Sequence, residues 1–177
     1  MSESAEQSSS ISSFPQNHCF GCGPANPDGL RLHFQPAAAG GVVCLATIPA
    51  KFQGPPAYVH GGIIATMLDE AMSKAVRATG YTSMTASLEV DYHRPVHSGA
   101  PIRIEGRLLV SEGRKHRTEA RILDSRGHLL ASAKGLFVEV KPHRLISGNG
   151  SIQQPQKTIA PEGSSSQEGL SGADENV

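Results

Sequence analysis

Only one stretch of this chain repeats its apolar residues at helical spacing, and a series of strand-like segments follows it. Ile64, Met67, Leu68, Ala71, Met72 and Ala75 recur three and four positions apart, which predicts one amphipathic helix over residues 61–78. Gly80 is its C-terminal stop. Immediately afterwards the period changes to two. Met84, Ala86, Leu88, Val90 and Tyr92 alternate with Thr85, Ser87, Glu89, Asp91 and His93, and Pro95 closes the run. Strands are expected at 102–110 and 117–123, joined by a polar connection at 111–116. Asp124-Ser125-Arg126-Gly127 reads as a hairpin turn with its glycine left-handed, leading into a last strand over 129–140. Ahead of the helix, 30–34 and 42–48 read as short strands around a Gly40-Gly41 turn. One helix cannot cover so many strands unless the sheet curls around it. The expectation is an α+β domain, a curved antiparallel sheet of about six strands wrapped around one long central helix. An edge or face is left over for another subunit.

Composition sets the limits of that domain. Over 177 residues, 16 basic and 16 acidic side chains cancel, so the strongly basic face of a nucleic-acid binder is not expected. Residues 1–13 are serine-rich without apolar period, and 141–177 lack any aromatic residue and are dense in Gly, Ser, Gln and Pro. Such segments cannot bury enough surface to offset their ordering entropy. Residues 1–16 and 141–177 are therefore expected to be disordered, with 17–140 as the folded domain. No apolar run is long enough to span a bilayer, so no membrane partner is expected. The first 13 residues lack Lys and Arg and carry Glu3 and Glu6, fitting neither a secretory signal nor a transit peptide. Three cysteines make no disulfide framework, and the expected location is cytoplasmic.

The chemistry concentrates where the loop around Gln53 runs through His60-Gly61-Gly62 into the helix. Two glycines at a helix start let a ligand approach the backbone, and the first-turn N–H groups are unpaired donors at the positive end of the helix dipole. Such donors suit a carbonyl oxygen that becomes an oxyanion. The plainer alternative is a junction that needs glycine for close packing. Asp69 stands inside the apolar helix, where a carboxylate is costly unless paired or functional. It reads either as a general base or nucleophile, or as a carboxylate paired at the edge of the core beside a solvated Glu70.

The run His60-Gly61-Gly62 followed by Asp69 resembles the signature of hot-dog-fold acyl-CoA thioesterases of the phenylacetate-pathway (PaaI-like) type. Residues 85–96, ending in Arg94-Pro95-Val96, are similar to that family's central strand. The upstream Cys19-Phe20-Gly21-Cys22-Gly23 segment, with Asn26-Pro27-Asp28-Gly29-Leu30, resembles an N-terminal element of one branch. The resemblance implies the hot-dog fold and hydrolysis of acyl-CoA by a homo-oligomer, a dimer or dimer of dimers, without a cofactor. It implies that the Gly61 N–H polarises the thioester carbonyl, with a further donor from Gln53. Asp69 attacks or activates water, and Thr85 orients it, with Ser87 as the alternative. His60 shapes the loop.

For coenzyme A the candidates are Gly62 at the helix start and the basic residues Arg94, Arg114, Lys115 and Lys134. No metal constellation is expected. Cys19 and Cys22 have knuckle spacing, but His18, Cys44 or a partner chain would have to complete four ligands, so they read as packed thiols in a turn. The alternative function is a non-catalytic acyl-CoA-binding module, against which Asp69 argues, since a carboxylate does not help to hold a polyanion. A dehydratase or hydratase on the same fold would need a paired His and carboxylate that the sequence does not offer.

Overall fold

The structure, a computed structural model, describes residues 15–140. Apart from Pro15 and Gln16, the tails expected to be disordered lie outside the described residues. The elements in chain order are β1 (Gln35–Pro36), β2 (Val42–Thr47), α1 (Gly61–Ala78), β3 (Ser83–Tyr92), β4 (Pro101–Glu112), β5 (Lys115–Asp124) and β6 (Leu129–Glu139). One antiparallel sheet of six strands runs β1-β2-β4-β5-β6-β3, so the strand after the helix lies at an edge. α1 contacts β2 through β6, and the sheet closes around it. Met67, Leu68, Ala71, Met72 and Val76 are fully buried against Val42, Ile104, Ile122 and Phe137, which builds the core.

The helix fills the expected range, and Gly80 beyond it takes a φ of 92°. Gly40 and Gly41, at φ 83° and 78°, make the turn into β2, and Gly127, at φ 83°, makes the β5–β6 turn. Two expectations are corrected. Residues 30–34 are not a strand. Leu32 and Phe34 are buried, which produces the alternation, but the chain there bonds the loop before it. Leu30 N–H reaches the Phe20 carbonyl and Leu32 N–H the Gly21 carbonyl, and the sheet gains only the two residues of β1. The polar connection at 111–116 is mostly strand. Glu112 pairs with Lys115, leaving Gly113-Arg114 as a two-residue hairpin turn.

A third correction bears directly on the site. β3 does not alternate strictly. Thr85 pairs with Phe137 and Ser87 with Leu136, so Ala86 has no partner and forms a bulge. Beyond the bulge, Leu88, Val90 and Tyr92 lie opposite Gly135, Ala133 and Ala131, on the side facing the helix. The extra residue thus puts Thr85 on the same side as Val90 and Tyr92, and turns Ser87 away from it.

Candidate active site

Asp69 is half-buried on α1 and accepts a hydrogen bond from the Thr85 hydroxyl, Oγ1 to Oδ1 at 2.7 Å. Burial pushes its carboxyl above the ordinary aspartate range; the Thr85 hydroxyl opposes this, and the neighbouring Glu70 charge adds to it. The bulge brings these two groups together, so Ser87 is not the alternative partner. The carboxylate is neither fully covered nor engaged in an ion pair among the described residues.

The other half of the constellation lies at the start of the helix. Gly62 N–H donates to His60 Nδ1 at 2.9 Å, so the imidazole caps the helix. That bond occupies the Gly62 donor. Ile63 and Ile64 N–H groups both reach the His60 carbonyl, whereas Gly61 N–H meets no acceptor among the described residues. Tyr92, which the sequence did not single out, donates from its hydroxyl to the Gly61 carbonyl at 3.0 Å. A Cβ on Gly61 would touch the Tyr92 ring at 3.7 Å. The aromatic ring therefore walls one side of this helix end, and only its place at the end of β3, two residues before Arg94, could have signalled it.

The preceding loop is held by its backbone. Gln53 bridges Val59, His60 N–H donates to the Phe52 carbonyl at 3.0 Å, and Tyr58 bridges His97. Ala57 takes a φ of 73°, in the left-handed region. Gln53 is exposed beside the helix entrance, and its side chain makes no hydrogen bond among the described residues.

The four basic candidates do not converge. Arg94 follows Tyr92 and bonds the Leu130 carbonyl through its N–H, at the same sheet end as Gly61. Arg114 lies in the β4–β5 turn, where it reaches the Glu139 carbonyl at 2.7 Å, and Lys115 opens β5 beside it. Lys134 is exposed on β6, in register between Glu89 and Glu119.

Glu70, solvated in the alternative reading of Asp69, is not solvated in the structure. It is 9% exposed and pairs with Lys74, one turn on, at 3.2 Å. The sequence carried a signal for it, the i,i+4 spacing of acid and base. Cys19 and Cys22, read as packed thiols in a turn, are joined there by Glu70: their sulfurs and a Glu70 oxygen lie within 4.8 Å of one another. His18 and Cys44, the residues named to complete such a set, are outside that group. Burial first, with help from Glu70 and against Lys74, pushes the Cys22 thiol up to about 12. Burial works against the Lys74 ammonium, but Glu70 and Cys22 together raise it above the ordinary lysine range.

Residues 57–131 match the family model described as the thioesterase superfamily. Over 57% of this chain and 46% of the relative, the sequence is 34% identical to the acyl-coenzyme A thioesterase THEM4 of Xenopus laevis. The chain thus spans about half the length of that curated relative. A crystal structure of a thioesterase superfamily protein is 34% identical, covering 69% of this chain and 63% of that one, with a TM-score of 0.66. A second X-ray structure from the thioesterase superfamily is 32% identical with a TM-score of 0.57, and the match covers 63% of this chain and 86% of that one. No helix among the described residues is long and apolar enough to cross a membrane. With six antiparallel strands wrapped on one helix and these matches in sequence and structure, the chain belongs to the thioesterase superfamily and has its hot-dog fold.

Proposed function

We propose that this domain hydrolyses acyl-coenzyme A thioesters to the free acid and coenzyme A. The observation that carries this is the Asp69 carboxylate, half-buried, free of any ion pair among the described residues and oriented by Thr85 at 2.7 Å. The relative named an acyl-coenzyme A thioesterase supports the substrate class. Asp69 removes a proton from water as it adds to the acyl carbon, or adds to that carbon itself. The carbonyl oxygen becomes an oxyanion against the Gly61 N–H. Collapse expels the coenzyme A thiolate, which takes up a proton. In the first route Asp69 returns it; in the second, water then cleaves the acyl-aspartate. Arg94 is our candidate for a coenzyme A phosphate, being at the Gly61 end of the sheet.

The two halves of each site come from different subunits in this proposal. Gly61 and Asp69 are eight positions apart on one helix, about 12 Å at 1.5 Å per residue, too far for one acyl carbon and its oxygen to meet both. Two helices placed antiparallel across a two-fold axis bring Asp69 of one chain opposite Gly61 of the other. Leu88 and Tyr92 support this, since they face the helix side of β3 yet remain 37% and 55% exposed. The edge of β3, unpaired among the described residues, supports it too. A reducing compartment such as the cytoplasm suits the three free cysteines.

Purified full-length protein assayed against a panel of aryl, short-chain and medium-chain acyl-CoA esters tests the activity. Saturable hydrolysis of one class supports it, and tight binding without turnover would establish the binding module instead. Thr85→Ala is expected to lower kcat about tenfold, as loss of a hydrogen bond to a charged group does. Because the Thr85 hydroxyl holds the Asp69 pKa down, its removal should move the acid limb of the kcat/KM profile to higher pH. An unmoved limb would remove Thr85 from the site.

A further inference from the structure

We propose that Cys19, Cys22 and Glu70 form a zinc site that clips the segment before β1 onto the central helix. The Cys19 thiol faces Glu70 Oε2 at 3.6 Å. A tetrahedral zinc ion with bonds of about 2.3 Å to sulfur and about 2.1 Å to oxygen separates two such ligands by about 3.6 Å. The donor pair therefore already spans one edge of the coordination tetrahedron. All three donor atoms lie within 4.8 Å of one another, so a modest contraction brings the second sulfur in.

The surroundings are built for these positions. Gly21 and Gly23 sit within and just after the Cys-x-x-Cys turn. A Cβ at Gly21 would collide with Glu70 Oε2, and one at Gly23 with the Asn17 carbonyl and the Cys19 backbone. Only glycine lets the carboxylate reach under the turn and lets the turn close so tightly, with Gly23 N–H on the Cys19 carbonyl at 2.8 Å. The two carboxylate oxygens divide their work. Oε2 faces the thiols, while Oε1 is held by the Lys74 ammonium at 3.2 Å. Lys74 also donates to Cys22 Sγ at 3.1 Å, and the Asn17 amide donates to the same sulfur at 3.5 Å. A ligand carboxylate anchored through its other oxygen, and a thiolate accepting hydrogen bonds, are the outer contacts that orient metal ligands.

Charge balance points the same way. With thiols protonated, Glu70 and Lys74 neutralise each other. When a divalent ion binds, two thiol protons leave to solvent, two S–Zn bonds and one O–Zn bond form, and no electrons are transferred. Two thiolates, one carboxylate, one ammonium and the ion then cancel, so neither state leaves net charge in this half-buried place. Cys19 is exposed, so the fourth corner on its side is open to a solvent ligand.

The test uses untagged full-length protein, reduced with a phosphine and stripped with a chelator, then titrated with cobalt(II) and zinc. One cobalt per chain should bring the intense visible bands of a tetrahedral site together with a thiolate-to-cobalt charge-transfer band, which histidines alone cannot produce. Zinc should displace it with release of about two protons per chain at neutral pH and raise the thermal midpoint. Cys19→Ser and Cys22→Ser should each weaken zinc binding at least about 100-fold, and Glu70→Gln about tenfold or more. Absence of the charge-transfer band in reduced wild-type protein overturns the proposal. So does zinc affinity in the double serine variant equal to that of wild type. A Cys19–Cys22 disulfide forming in air, with no metal taken up by the reduced form, would instead make this a thiol pair without a metal. The spectroscopic reading needs no variant and no acyl-CoA, so it stands apart from the proposed hydrolysis.

Discussion

Replacing Asp69 by asparagine is expected to lower kcat about a thousandfold, as loss of a positioned base or nucleophile does. Its thermal midpoint at neutral pH should be no lower than that of wild type. Burial leads the causes that raise the Asp69 pKa in the folded protein. A carboxyl whose folded pKa lies above its unfolded value contributes stability below the unfolded pKa, and that contribution is lost as pH rises through the folded one. Above the unfolded pKa the group is thus a net cost to the fold, which asparagine removes while keeping an acceptor for Thr85. Wild type should accordingly lose midpoint relative to the variant as pH rises through that interval. Thermal scans across pH, together with steady-state kinetics, check both halves. A folded asparagine variant with activity within a few-fold of wild type would end the catalytic assignment.

Mixing two inactive variants is expected to restore activity. Asp69→Ala lacks the attacking group. Gly61→Val places methyl groups over the backbone donor, where the Tyr92 ring already stands 3.7 Å from a Cβ position. In a mixed dimer one site collects both defects and the other collects neither. Random exchange should therefore recover roughly a quarter of wild-type activity, half the sites in the half of dimers that are mixed. Activity measured after co-refolding, with exchange verified by mass, decides this. If exchanged dimers stay silent, each site is built within one chain.

The helix and five of the strands, β2 to β6, were legible because apolar period follows burial on a single face, and burial is what most of those residues meet in the fold. Residues 30–34 show where period misleads. Leu32 and Phe34 alternate because an extended chain buries every second side chain, but its backbone partners are Phe20 and Gly21, and no local pattern reports them. The Asp69–Glu70 pair shows a second limit. Both acids adjoin the apolar stripe, and a solvated Glu70 belonged to the alternative reading of Asp69. Only the segment that carries Cys19 and Cys22, folded over the helix, makes Glu70 the more buried of the two. Tyr92 was read only as an apolar strand residue, and its hold on the Gly61 carbonyl depends on how the edge of the sheet meets the helix start.

Ala86 acts as a spacer, and what it supplies is a count. Exchanging it for another residue alters one exposed side chain on an edge strand. Losing a single codon there restores strict alternation, and then either Thr85 leaves Asp69 or Leu88, Val90 and Tyr92 leave the helix. The constellation is thus tolerant of substitution at this point and intolerant of a frame-preserving deletion. Side-chain direction along this strand is thus fixed by the number of residues between Thr85 and Tyr92 more than by the residue type at position 86.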